Sequence, residues 1–279
     1  MTYASMMVHV EPGSTSSDAR LALGGSLAER LDSVLIGVAA MAVRPPPVDP
    51  FGGGIVMGEV MAAEEEQIRA ELKEAEDRFR HHPAVRDRPF EWRASIDMPA
   101  EMLARESRSA DLIIVGRDLD QLRAGAYRSV DPGEIIMAAG RPVLVVPPGT
   151  DSLAARRIVV GWKDSREARR AVWDSLPMLR EADAVHVVEV AGKDDVATGG
   201  ARVDDLVDHL KRHHVEVRGE VRTQREAYAA DELILAAEQH GADLIVVGGY
   251  GHTRLREWVL GGVTRDLLRR SPKCCLFSH

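Results

Sequence analysis

The second half of the chain alternates short apolar runs with stretches whose apolar residues recur every three or four positions. Val203, Leu206, Val207 and Leu210, for example, form one stripe of a predicted helix. β-Branched apolar runs of four to eight residues indicate buried strands. We predict strands at 157–161, 184–190, 215–221, 243–247 and 272–277, and helices at 203–214, 228–240 and 263–270, with a further helix that ends near 180 and follows the N-cap residues Asp164 and Ser165.

An internal repeat extends this pattern to the first half. The segment 109–116, Ser-Ala-Asp-Leu-Ile-Ile-Val-Gly, recurs almost unchanged at 241–248. A repeat of this length indicates a duplicated domain, because solenoid units are shorter, at about 20–50 residues. We predict the matching strands at 6–10, 34–39, 90–95, 112–115 and 142–146, and a surface loop at the Pro/Gly-rich insertion 44–54.

Alternation of strands and helices predicts the fold class. Parallel strands joined by helical crossovers give an α/β, doubly wound architecture with helices on both faces of an open sheet. We therefore expect two tandem domains, 1–148 and 154–279, each with a five-stranded parallel sheet. Ligands of such sheets bind outside the carboxyl ends of the strands, where the strand order reverses.

Composition narrows the classes of partner. The 279 residues carry 36 basic and 44 acidic side chains, a formal charge of -8, which disfavours binding to nucleic acid. No apolar run approaches the roughly 18 residues that span a bilayer, so we expect a cytoplasmic protein without a membrane partner. Cys274 and Cys275 are neighbours on a predicted strand and should point to opposite faces, which suits neither a disulfide nor a metal site.

A glycine-rich loop is the segment with the clearest chemistry. Gly248-Gly-Tyr-Gly251, nine residues beginning at His252, and Gly261-Gly-Val-Thr264 lie between a predicted buried strand and a predicted helix. Glycines allow the backbone to approach a ligand closely, and the N–H groups at a helix start favour an anion. The loop therefore predicts a phosphate-binding cradle.

In these residues the chain resembles the universal stress protein family, of the UspA type. Nucleotide-binding members of that family carry a glycine, two residues, a glycine, nine residues, and then a glycine with a serine or threonine. The resemblance implies an adenine nucleotide alpha hydrolase-like fold, a role in the stress response, and binding of ATP or AMP, with Mg²⁺ as a candidate companion. It also implies the following nucleotide-binding residues: Gly161, Trp162, Lys163, Val190, Gly248, Gly251, His252, Gly261, Gly262, Val263 and Thr264.

Two positions depart from the family pattern. Gly262 stands where the family has a serine or threonine, and Lys163 stands where its nucleotide binders place an aspartate. Thr264 either supplies the missing hydroxyl or caps the helix. Val190 either lines a base pocket or belongs to the core.

The first half lacks an intact loop. Gly116 is followed by Arg117-Asp-Leu119, so the second glycine of the pattern is missing. We therefore expect at most one nucleotide site of the family type per chain, in the second half.

Three functions remain open. The first is a binding protein without catalytic residues that responds to an adenine nucleotide. The second is an interaction module with an altered or empty pocket, which associates through the terminal strands of its two halves or of two chains in a dimer. The third is a slow ATP hydrolase or a self-phosphorylating protein that uses His252 or Asp164.

Overall fold

A computed structural model describes residues 2–44, 54–117, 125–192, 195–223, 228–251 and 262–279, without the side chains of 54–57. Its strands are β1 (Ser5–His9), β2 (Val34–Met41), β3 (Phe90–Ile96), β4 (Leu112–Gly116), β5 (Val143–Val146), β6 (Arg157–Trp162), β7 (Ala184–Ala191), β8 (Val217–Thr223), β9 (Leu244–Gly248) and β10 (Cys274–Ser278). Its helices are α1 (Ser16–Arg30), α2 (Gly54–His81), α3 (Pro99–Glu106), α4 (Pro132–Ala138), α5 (Arg166–Leu179), α6 (Val196–Arg212), α7 (Ala229–Gln239) and α8 (Gly262–Arg270).

The strands form one sheet in the order β3-β2-β1-β4-β5-β10-β9-β6-β7-β8. Each half, β1–β5 and β6–β10, contributes five parallel strands, and in each half the strand order reverses beside the first strand. The α/β, doubly wound fold class predicted from the sequence is confirmed.

Two apolar layers cover the sheet. One layer packs α1, α2, α5 and α6 against the strands, and the opposite layer packs α3, α4, α7 and α8. Cys274 belongs to the first layer and Cys275 to the second, which confirms that the two thiols point to opposite faces. Both are buried and free.

The two halves meet at a seam between β5 and β10, the only antiparallel pair among the described strands. Leu276 pairs with Leu144, and Phe277 pairs with Val143. All of these side chains are fully buried. The last strand of each half is therefore an interior strand of the joint sheet.

The outer strands β3 and β8 carry charged side chains, unlike the apolar strands of the seam. β3 carries Glu91 and Arg93, which form an ion pair 2.5 Å long, and β8 carries Glu220 and Arg222, which are 2.7 Å apart. Charged side chains on an edge strand disfavour pairing with another sheet. The two described edge strands are therefore protected from pairing with another sheet, whereas the apolar strands β5 and β10 lie inside the sheet and pair with each other.

Helix α6 was predicted wrongly at its start. It begins at Val196, seven residues before the predicted 203, and includes the pair Gly199-Gly200. A Cβ at Gly199 would lie 3.3 Å from a carboxylate oxygen of Glu189 and 3.3 Å from Val221, so the glycine lets this turn pack closely on the sheet. Tertiary contact therefore outweighs the low helix propensity of glycine.

The predicted surface loop 44–54 lies largely outside the described residues, which resume at Gly54 in α2. None of the described helices combines the length and the apolar character that a membrane span requires.

His9 is a buried titratable residue at the end of β1. Its side chain is fully enclosed, and neither ring nitrogen has a hydrogen-bond partner among the described residues. Burial, together with the nearby Arg20, lowers the pKa of His9 to about 3. Arg20 Nε donates a hydrogen bond to the backbone oxygen of His9 at 2.9 Å.

We predict that His9 lowers the free energy of unfolding as the pH falls. Because the folded pKa lies below the unfolded value of 6.5, the unfolded chain binds the extra proton between pH 6.5 and 3. His9 then lowers the free energy of unfolding by up to about 1.4 kcal/mol per pH unit in that window. Urea unfolding of wild type and His9→Phe from pH 7 to 5 should show a shallower decline in the variant. Equal declines would exclude His9 as a cause.

We predict a large penalty for weakening the seam. Leu276→Ala should lower the free energy of unfolding by about 2–5 kcal/mol, since it removes buried volume between the two halves. Leu235→Ala is the matched control, because Leu235 lies on α7 with 39% of its surface exposed. The control should stay within about 0.5 kcal/mol of wild type in the same denaturation experiment. Similar effects of both variants would contradict this role of the seam.

Candidate functional site

The glycine loop begins where β9 meets two other elements. A Cβ on Gly248 would lie 2.5 Å from the backbone nitrogen of Ala168, in the first turn of α5. A Cβ on Gly249 would lie 2.7 Å from Ile136 of α4. The Gly249 N–H also donates to the backbone oxygen of Ser278 at 2.8 Å. These two positions therefore need glycine because the neighbouring elements come so close.

Tyr250 links the loop to the first half of the chain. Its backbone has a φ of 46°, in the left-handed region that non-glycine residues seldom occupy. Its N–H donates to the Thr264 hydroxyl oxygen at 3.4 Å, and its own hydroxyl lies 2.6 Å from where a Cβ on Gly133 of α4 would be. Burial, together with the nearby Asp131, raises the pKa of Tyr250 to about 12.

Two helix starts lie beside the loop. Ser165 caps α5, with its hydroxyl oxygen accepting a hydrogen bond from the Ala168 N–H at 3.2 Å. Thr264 is buried in the first turn of α8, and its hydroxyl oxygen accepts a hydrogen bond from the Tyr250 N–H at 3.4 Å. Helix N-termini carry a partial positive charge, and two of them here favour an anion.

One carboxylate faces this anion-favouring region. Glu167 is 2% exposed, and its Oε2 lies 3.6 Å from where a Cβ on Gly251 would be. Its Oε1 is 3.3 Å from Arg166 Nε. A phosphate at the loop would therefore approach a buried acid as well as the two helix starts.

The residues after β6 are exposed. Lys163 is exposed and has no ion-pair partner among the described residues. Asp164 forms an ion pair with Arg169. Val190, near the end of β7, is half-buried and packs against the layer that contains α7 and α8. This position is compatible with both roles considered for Val190.

Gly161 and Trp162, two of the predicted nucleotide-binding residues, take part in the packing of helices on the sheet. A Cβ on Gly161 would lie 2.8 Å from both Leu233 and Val247, so this glycine lets α7 pack closely on the sheet. The Trp162 side chain packs in the layer of α5 and α6, on the face opposite Val190. Its indole therefore lies away from the face on which Val190 packs.

The structure brings Gly248, Gly251 and Thr264 together beside the first turn of α5. Gly262 is exposed and Val263 is half-buried at the start of α8. His252 and Gly261 lie outside the described residues, so their predicted roles stay predictions.

Arg117 occupies the position in the first half that Gly249 occupies in the second. Its backbone N–H donates to Val146 at 2.9 Å, as Gly249 does to Ser278. Its guanidinium donates to the backbone oxygens of Leu267 and Leu268 in the last turn of α8, at 3.4 and 3.3 Å. Burial lowers the pKa of Arg117. A cation thus caps the C-terminal end of the helix whose N-terminal end faces the glycine loop.

Sequence reasoning missed Glu167, Tyr250 and Arg117 as parts of this site. An acid two residues after the capping serine was a readable signal, because such residues face the start of their own helix. The reach of Tyr250 and Arg117 into the opposite half carried no local signal, since it depends on the seam.

Fold and site together define a tandem doubly wound α/β protein with an anion-favouring glycine loop in its second half. The family model described as "Universal stress protein family" matches residues 154–278. The chain is 40% identical over 43 residues to Universal stress protein MJ0577 of Methanocaldococcus jannaschii, a match that covers 15% of this chain and 26% of that protein. It therefore spans about a quarter of this curated relative.

Solved structures share the fold over the whole chain. The alignment with a universal stress protein from Archaeoglobus fulgidus covers 99% of this chain and 96% of that protein's chain, at a TM-score of 0.67 and 15% identity. A functionally unknown protein from Pseudomonas aeruginosa covers 99% with 92% of its own, at 0.58 and 14% identity. The match at 154–278 shows that the second half of the chain is a domain of the universal stress protein family.

We predict opposite effects of alanine at two glycines. Gly248→Ala should lower the free energy of unfolding by about 1–3 kcal/mol, because its Cβ would overlap the backbone of α5. Gly200→Ala on α6 meets no atom within 4 Å and should raise it by about 0.5–1 kcal/mol. Chemical denaturation of both variants measures the difference. Tolerance of alanine at 248 would contradict the close approach of α5.

Proposed function

We propose that the second half binds an adenine nucleotide, ATP or AMP, without transforming it, as part of a stress response in the cytoplasm. The observation that carries this proposal is the convergence of two helix starts, α5 and α8, on the close-packed loop at Gly248. Backbone N–H groups and helix dipoles can hold phosphate without a basic side chain.

The remaining nucleotide contacts follow from the neighbouring strand ends. Lys163 is exposed after β6 and suits an anionic ligand where an aspartate would favour a ribose. Val190 on β7 offers an apolar contact for the base. In this arrangement the phosphates lie over Gly248, Gly251 and α8, and the base lies towards β7.

The buried Glu167 carboxylate affects how strongly a phosphate group binds at the glycine loop. A carboxylate and a phosphate at close range repel each other, and burial reduces the screening by water. Magnesium is commonly held by one or two carboxylates together with the phosphates of a nucleotide. We therefore propose that Mg²⁺ accompanies the nucleotide and that the Glu167 carboxylate, which also contacts Arg166, is one of the groups that favour the cation.

The second candidate function is an interaction module without a nucleotide. The buried Glu167 carboxylate is the observation that favours it, because an acid beside the loop disfavours a free anion. Association of two chains also belongs to this alternative. Asp164, the acid considered for a hydrolase, is paired with Arg169 and gives that reaction no specific support.

Isothermal titration calorimetry with ATP tests the proposal. With Mg²⁺ present, wild type should bind with a saturable heat, and removal of the metal by EDTA should weaken binding by about tenfold or more, since one buried charge contact is worth about that factor. Glu167→Gln should remove most of this metal dependence. Glu238→Gln, at an exposed position on α7, is the control and should behave as wild type.

The outcomes separate the two claims. Absence of heat with Mg-ATP at millimolar concentration would exclude the nucleotide-binding function and favour the interaction module. Binding that is indifferent to EDTA would retain the nucleotide and exclude the role of Glu167.

A further inference from the structure

Two histidines stack on each other at the end of the sheet opposite the glycine loop. His186 is the third residue of β7, and His240 directly follows α7. Their rings are nearly parallel, with an interplanar angle of 11° and a centroid distance of 3.6 Å. Both residues are half-buried. We call them the His186–His240 pair.

Two arginines flank this pair on the neighbouring strands. Arg218 of β8 lies directly opposite His186 in the strand register, and Arg157 is the first residue of β6, on the other side of β7. The residue that follows Arg157, and the one that precedes each of His186 and Arg218, packs in the layer of α5 and α6, so all three side chains project on the α7 side. A Cβ on Gly241 would lie 3.0 Å from Arg157 Nη1, so this guanidinium lies against the backbone next to His240.

The charges of the two arginines are not compensated. Neither Arg157 nor Arg218 has an ion-pair partner among the described residues, whereas the preceding Arg156 pairs with Asp183 at 3.6 Å. Glu216, two residues before Arg218, also forms no ion pair within the described part of the chain. Both arginines are exposed. This end of the sheet therefore carries a local excess of positive charge.

Glu220 is the carboxylate beside the pair, and Arg222 compensates its charge. Glu220 Oε1 lies 3.2 Å from His240 Nε2 and 2.7 Å from Arg222 Nε. Arg222 also donates a hydrogen bond to the side chain of Gln239 at 2.7 Å. Asp243, just before β9, accepts a hydrogen bond from the linker backbone at 3.0 Å. These two acids therefore leave the charges of the flanking arginines in place.

Stacking limits the pair to one added proton. Two imidazolium rings 3.6 Å apart would repel each other, so the two histidines titrate as a unit. Burial lowers the pKa of His186, and His240 and the two flanking arginines lower it as well, while Glu220 raises it. His186 is therefore neutral at pH 7. A proton that enters the pair at lower pH adds a third positive charge between the two arginines.

We propose that Arg157, Arg218 and the His186–His240 pair bind a small divalent oxyanion of the inorganic phosphate class, and that acidification tightens this binding. An anion between the two arginines relieves their repulsion and favours a proton on the pair, and by linkage the proton favours the anion by the same factor. The C-terminal end of α7 carries a partial negative charge, which further favours the proton.

This site is separate from the proposed nucleotide site. His186 lies near the amino end of β7, whereas the glycine loop follows the carboxyl end of β9, and β6, β7 and β9 are parallel. The two sites therefore lie at opposite ends of the same strands, and the oxyanion proposal does not depend on nucleotide binding.

Sulfate is the probe that isolates the titration of the protein. It keeps two negative charges from pH 5.5 to 8, whereas phosphate changes its own charge in that range. Proton NMR of the histidine rings, at an ionic strength held constant with chloride, should show saturable shifts of the His186 and His240 signals. Sulfate should bind about fivefold or more tightly at pH 5.5 than at pH 8, the worth of one exposed charge contact.

Isothermal titration calorimetry of variants separates the roles of the arginines and the histidines. Arg218→Gln should weaken sulfate binding about fivefold at pH 5.5. Arg212→Gln is the matched control, because Arg212 is an exposed arginine at the end of α6, on the other face of the sheet, and it should bind as wild type. The double variant His186→Gln, His240→Gln should bind sulfate equally at both pH values.

Three results would overturn the proposal. Absence of saturable histidine shifts at tens of millimolar sulfate would exclude the site. Equal weakening in Arg218→Gln and Arg212→Gln would exclude the role of the flanking arginine. Equal affinity of wild type at pH 5.5 and 8 would exclude the role of the His186–His240 pair. None of these results depends on whether a nucleotide binds at the glycine loop.

Discussion

The antiparallel pairing of β5 with β10 is the interaction on which the arrangement of the molecule depends. Both strands are buried and apolar on each face, so either one left as an edge would expose a surface prone to association. Pairing them closes both surfaces at once and joins two five-stranded sheets into one. It also brings the strand ends that carry Tyr250 and Arg117 within reach of helices from the opposite half.

That junction explains how a duplicated domain acquires two different halves. Gly249 and Arg117 hold the same place after their strands and make the same backbone hydrogen bond, at 2.8 and 2.9 Å. In the second half a Cβ on the glycine would lie 2.7 Å from Ile136 of α4, so α4 of the first half packs closely against the start of the loop. In the first half the arginine reaches across the seam to the end of α8. The first half, which lacks an intact glycine pattern, therefore contributes a contact to α8, the helix that follows the glycine loop of the second half.

Much of this architecture could be predicted because strand and helix periodicities are local properties. The five strands of each half, the repeat and the opposite directions of Cys274 and Cys275 all follow from patterns within short segments. The start of α6, the reach of Arg117 across the seam and the direction of Trp162 could not be predicted in this way. Each depends on which distant element packs against it, and a single sequence carries no local signal for that choice.

The central claim is that one site, in the second half, receives an adenine nucleotide while the first half supports it. Native mass spectrometry of the purified protein with saturating Mg-ATP tests this claim directly, since it counts the ligands bound to each chain. We predict one nucleotide per chain and none after Gly251→Asp, which places a second carboxylate beside Glu167. Two nucleotides per chain, or one that persists in Gly251→Asp, would contradict the account.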